Sequence, residues 1–99
     1  MEVYYNNKLL INKEFLSMSQ TEYKPEIKLN VDPSKFYTLI MNDPNAIGGN
    51  FIHWIIMNIS NNNINNGIII VPYQKPTPPP KTGTHNYIYK IERIQILNQ

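Results

Sequence analysis

Hydrophobic and polar positions along this chain fall into short runs with a period of two, interrupted by Asn, Gly and Pro. Such alternation marks strands, and no stretch carries the spacing of a long amphipathic helix. Residues 2–5 and 8–11 are β-prone runs around Asn6-Asn7, a pair that tolerates positive φ and can tip a two-residue hairpin. Residues 14–24 are polar and irregular, with room for at most one helical turn before Pro25. Glu26 to Val31 places Ile27, Leu29 and Val31 on one face. Asp32-Pro33-Ser34-Lys35 then reads as a turn, and Phe36 to Met41 as a strand leading into Asp43. The run from Phe51 to Ile59 is apolar on both alternating faces, which predicts a strand covered on both sides. Ile52, Trp54, Ile56 and Asn58 form one face of it, and Phe51, His53, Ile55, Met57 and Ile59 the other. Ser60 to Gly67 is an Asn-rich loop that reads as low-complexity drift, and Ile68 to Val71 as a short buried strand. Residues 72–84 form a rigid, exposed Pro-rich loop, and Thr84 to Glu92 a strand with His85, Tyr87, Tyr89 and Ile91 on one face. Strands separated by such turns, without helices, predict an all-β sandwich.

Composition adds mainly exclusions. A chain of 99 residues supports a single domain, and 41% hydrophobic with 16% charged residues suits a folded protein. The net charge of +2 comes from scattered Lys and Arg, so no electrostatic footprint for nucleic acid is present. Without cysteine there is no disulfide framework, thiolate nucleophile or Cys-ligated zinc site. No apolar run reaches the ~20 residues a membrane-spanning helix needs. The N-terminus lacks the basic-then-apolar order of a signal peptide, so a soluble, cytoplasmic protein is expected. The richness in Asn, Ile, Lys and Tyr is that of AT-rich coding sequence, as in a large DNA virus or a parasite.

Candidate chemistry concentrates on Asp43, His53 and His85. A histidine in an apolar run is most often a satisfied core residue, but two of them beside Asp-Pro, Gly-Gly and Pro-rich segments invite a functional reading. Asp43 is either an Asx-turn or cap residue, or the carboxylate that fixes one histidine's tautomer. Two histidines and a carboxylate can hold a metal, though none lies at a short ligand spacing. A nucleophilic triad lacks its nucleophile, because no serine stands at a strained elbow. An anion pocket, in which imidazole N–H groups, a tyrosine hydroxyl and loop amides receive a phosphate, is the favoured arrangement. The run Pro76-Thr77-Pro78-Pro79-Pro80 is read as a pocket rim in preference to a polyproline ligand.

Four ordered segments carry a resemblance. They are Asp43-Pro44-Asn45-Ala46, Phe51-Ile52-His53-Trp54-Ile55-Ile56-Met57-Asn58-Ile59, Tyr73-Gln74-Lys75-Pro76-Thr77-Pro78-Pro79 and Gly83-Thr84-His85-Asn86-Tyr87. In order and spacing they resemble the phosphatidylethanolamine-binding protein family, which includes the Raf kinase inhibitor proteins and plant flowering-time regulators. The resemblance implies a β-sandwich with a small anion pocket lined, by position, by Asp43, Phe51, His53, Pro78, Pro79, His85 and Tyr87. It implies a non-enzymatic binding module without a cofactor or metal. Its partner would be a phosphate-bearing small molecule, phospholipid head group or phosphorylated peptide, and its role regulation of a kinase or another signalling protein. The alternative is a degenerate scaffold serving protein interaction alone. Departures from the family pattern are Asn45 for an aspartate, Ile47 for a proline, Phe51 for a tryptophan, Lys75 for a loop glycine and Asn86 for an arginine. Gly48 falls where a pocket tyrosine is common. The chain also ends soon after the His85 strand, which predicts an open sheet edge and self-association to cover it.

Overall fold

The computed structural model describes residues 1–12, 16–77 and 87–93. Over these residues the strands are β1 (Glu2–Tyr5), β2 (Lys8–Leu9), β3 (Glu26–Lys28), β4 (Tyr37–Asp43), β5 (Phe51–Ile59), β6 (Ile68–Val71) and β7 (Ile88–Glu92). Single 3-10 turns occur at Ser19–Thr21 and Ile64–Asn66. A three-stranded sheet has the order β2-β1-β3 and a four-stranded sheet the order β6-β5-β4-β7, with every pairing antiparallel. The fold is therefore all-β, as the alternation predicts. Asn6 and Asn7 both take positive φ (52° and 65°) and tip the first hairpin.

The core lies between the two sheets. Val3, Tyr5 and Ile27 from the small sheet meet Leu39, Met41, Trp54, Ile56 and Ile59 from the large one. Removing side chains of this size from water contributes roughly 1.5–3 kcal/mol each. The strict alternation expected of β5 does not hold. Tyr37 faces Ile59 and Leu39 faces Ile56, while Met41 faces Trp54 and Asn42 faces Ile52, so β5 carries an extra residue twice relative to β4. One irregularity includes Asn58, whose φ of 58° is open to Asn at modest cost; the other falls at His53. As a result Trp54, Ile56 and Ile59 are all buried although their sequence parity differs.

Two further expectations are corrected. The Asn-rich loop is built, not drifting: Asn61 and Asn62 take positive φ, and the Asn62 side chain clamps Val31. Its Oδ1 accepts from Val31 N (2.8 Å) and its Nδ2 donates to Val31 O (3.1 Å). β6 is not buried: among the described residues it is an edge strand paired to β5, with Ile68, Ile69 and Ile70 each more than half exposed.

A chain of hydroxyls crosses the interior. Tyr73 donates its one proton to the Thr21 carbonyl (3.0 Å), so it must accept from Tyr5 (2.9 Å). The Tyr5 proton is then spent, and its contact with the Tyr89 hydroxyl must be donated by Tyr89. Burial pushes the phenols of Tyr5, Tyr73 and Tyr89 well above the ordinary tyrosine value. A folded-state pKa raised in this way keeps its stabilisation below the unfolded tyrosine value of about 10 and loses it above. Urea midpoints are therefore expected to fall as pH rises past about 10, with Tyr5 alone adding a limiting slope of about 1.4 kcal/mol per pH unit. Tyr5→Phe is expected to flatten that fall; an equally steep fall in the variant would contradict the buried, protonated assignment.

Packing behind the second 3-10 turn supplies another test. A Cβ placed on Gly67 would lie 2.5 Å from Ile56 Cγ2, 2.8 Å from the Met57 carbonyl oxygen and 2.9 Å from Ile59 Cγ1. Gly67→Ala is expected to destabilise by about 1–3 kcal/mol, since a backbone oxygen cannot step aside. An unchanged urea midpoint would show that β5 and this turn are not in such close contact.

Candidate functional site

The site is assembled where β4 ends and β5 begins. Asp43 and Phe51 are the last cross-strand pair, and residues 44–50 close the hairpin beyond them. Asp43 is 2% exposed, and its Oδ1 accepts from the Asn45 backbone N–H at 2.8 Å, the Asx-turn that Asp-Pro favours. At the base of the same loop, Asn42 Nδ2 donates to Asn50 Oδ1 at 2.7 Å.

His53 occupies the β5 irregularity and is 6% exposed. Its Nδ1 lies 2.6 Å from the Gln74 carbonyl oxygen, which can only accept, so Nδ1 carries the proton. The Gln74 N–H in turn donates to the His53 carbonyl at 2.8 Å. This reciprocal pair ties β5 to the segment leaving β6 and sets the ring's tautomer and plane. Among the described residues the ring makes no second hydrogen bond. Its Nε2 is therefore an acceptor when the imidazole is neutral and a donor when it is protonated. Two aromatic rings meet the imidazole edge to face: Phe51 at 4.7 Å and 65°, and Tyr87 at 5.2 Å and 77°. The Tyr87 phenol is raised above its ordinary value, first by burial and then by the negative charge of Asp43. Its hydroxyl thus keeps its proton at neutral pH.

The fold therefore gathers four of the residues the sequence selects, namely Asp43, Phe51, His53 and Tyr87. Pro78, Pro79 and His85 lie outside the described residues. At His53 the orienting group is the Gln74 carbonyl and not Asp43, a partner without a side-chain signature in the sequence. Lys75, which stands where the family pattern has a loop glycine, pairs with Glu22 at 2.7 Å on an exposed part of the surface. A cavity of about 160 Å³ lies elsewhere, against the small sheet at Tyr5, Leu9, Leu10 and Leu16. It includes none of the selected residues, and Asn6, Lys8 and Gln20 complete its lining. No three His, Asp or Glu side chains among the described residues gather as a metal would need, and no helix there is long and apolar enough to cross a membrane.

A sequence profile of the family described as phosphatidylethanolamine-binding protein matches residues 5–96. The chain is 34% identical over 84 residues to the "26 kDa secreted antigen" of Toxocara canis, a match covering 79% of this chain and 32% of the antigen. It is 26% identical over 95 residues to the "putative odorant-binding protein A5" of Drosophila melanogaster, covering 89% of this chain and 45% of that protein. The chain thus spans less than half the length of either relative. With the profile running over nearly all of it, and the Asp43, His53 and Tyr87 segments meeting at one end of the sheet, the chain belongs to the phosphatidylethanolamine-binding protein family.

Proposed function

We propose that the chain is a non-enzymatic binding module for a phosphate-bearing head group. The carrying observation is the juxtaposition at His53. Its imidazole is fixed through Nδ1 by Gln74, with the protonated phenol of Tyr87 at its edge and the Asp43 carboxylate close enough to raise that phenol. The Nε2–H of a protonated His53 ring and the phenol O–H of Tyr87 suit phosphate oxygens. A carboxylate beside them does not, because it repels a bare anion. A zwitterion resolves the conflict: its phosphate takes the imidazole and phenol, and its ammonium takes the carboxylate. Phosphoethanolamine has this form, and the family is named for the lipid that carries it. By family position, Pro78, Pro79 and His85 would complete the rim, and the regulatory role through a kinase or other signalling protein rests on resemblance alone.

Titration followed by NMR tests this reading. Phosphorylethanolamine at millimolar concentration is expected to move the His53 ring signals and to bind roughly tenfold more tightly than inorganic phosphate, as one charge-assisted contact allows. Asp43→Asn, which keeps the acceptor for the Asn45 amide, is expected to erase that preference. Unmoved His53 signals would reject the site. Phosphate binding as well as phosphorylethanolamine would reject the zwitterionic ligand.

A further inference from the structure

Immediately beyond the Asp43–Phe51 pair the β4–β5 hairpin ends in an uncharged tip, Pro44-Asn45-Ala46-Ile47-Gly48-Gly49-Asn50. Gly49 N–H donates to the Ala46 carbonyl at 3.0 Å, folding a tight turn across Ile47 and Gly48. Gly48 and Gly49 hold φ of 84° and 115°, values costly for other residues, and nothing lies within 4 Å of where either Cβ would stand. Among the described residues, nothing packs against the tip at these two glycines. Ile47, at the turn, is 75% exposed, so the most apolar side chain of the tip has been left outside the core. Phe51, at the mouth of the site, is 44% exposed, and Ile88, opposite Asn42 on the neighbouring strand, is 42% exposed. Between Pro44 and Gln74 the sequence has no Asp, Glu, Lys or Arg.

An apolar projection with an uncharged surround, standing beside a polar head-group site, has the layout of an interfacial anchor. We propose that the hairpin tip is a membrane-docking wedge. Ile47 and Phe51 enter the head-group and acyl boundary of a bilayer while the neighbouring Asp43–His53–Tyr87 cluster receives a lipid head group. The proposal builds on the reading of that cluster as a head-group site. The charge pattern selects the kind of surface. Acidic membranes are read by clusters of Lys and Arg, and the segment from Pro44 to Gln74 carries neither, which favours a zwitterionic surface. Each contact is weak alone; one inserted aliphatic side chain and one bound head group together make a usable, reversible attachment.

Co-sedimentation of the full chain with vesicles of equal parts phosphatidylcholine and phosphatidylethanolamine tests the wedge. The parent chain is expected to partition onto the vesicles. Ile47→Asp is expected to weaken partitioning at least about tenfold, from the lost burial of one aliphatic side chain. Ile47→Leu is expected to restore it. Because Ile47 packs against little, Ile47→Asp should keep the parent's backbone NMR spectrum and its affinity for free phosphorylethanolamine. Failure of the parent to partition, or partitioning of Ile47→Asp equal to the parent's, overturns the wedge and leaves a protein surface as the occupant of the tip. The two readings fail separately. Ile47-dependent vesicle binding with His53 unmoved by free phosphorylethanolamine would reject the head-group site and keep the wedge. Binding of free phosphorylethanolamine without vesicle binding would do the reverse.

Discussion

The arrangement turns on a pair of hydrogen bonds between His53 and Gln74. Gln74 N–H donates to the His53 backbone carbonyl, and the His53 ring returns Nδ1–H to the Gln74 carbonyl. A buried imidazole without such a partner would cost about 1–3 kcal/mol. Here the cost is met by backbone, which leaves the ring's other nitrogen for chemistry. The pair also decides where the segment after β6 runs. Gln74 follows Tyr73, whose ring meets Trp54 edge to face at 5.3 Å and whose hydroxyl joins the proton chain through Tyr5 to Tyr89. Site and core thus share one anchor: the residues that fix the imidazole stand next to those that hold the two sheets together.

The irregularity of β5 at His53 gives this anchor its geometry. An unbroken strand would send His53 and Trp54 to opposite faces. The extra residue lets Trp54 fill the core opposite Met41 while His53 remains buried between Phe51 and Tyr87. Opposite electrostatic tendencies then meet within one cluster, a carboxylate with a histidine and a protonated phenol. A ligand carrying both signs satisfies such a set better than a simple anion does. Just outside, the hairpin tip carries no charge at all.

Much of the fold was legible in the residues. Asn6-Asn7 announces a hairpin tip because Asn tolerates positive φ, and Asp43-Pro44 announces the turn that caps β4. The long apolar run of β5 marks the central strand, and the motif order selects Asp43, Phe51, His53 and Tyr87, which do converge. What the residues did not disclose has physical causes. A β-bulge is a property of the pairing between two strands, and neither strand's own pattern reports it; Asn58 in the left-handed region was the available hint. The partner of His53 is a main-chain carbonyl, which every residue possesses. Asn62 resembled its neighbours in a polar run, yet it alone reaches Val31 to close a loop from another part of the chain. Ile68 to Val71 looked buried because apolar content does not tell an inner strand from an edge.

Long-range proton–nitrogen NMR of the His53 imidazole reads the anchor directly. At a pH where His53 is neutral, a proton is expected on Nδ1, protected from exchange by the Gln74 carbonyl, with Nε2 bare. A proton found on Nε2, or an Nδ1 proton exchanging as fast as in a free imidazole, would contradict the anchor and with it the geometry of the site.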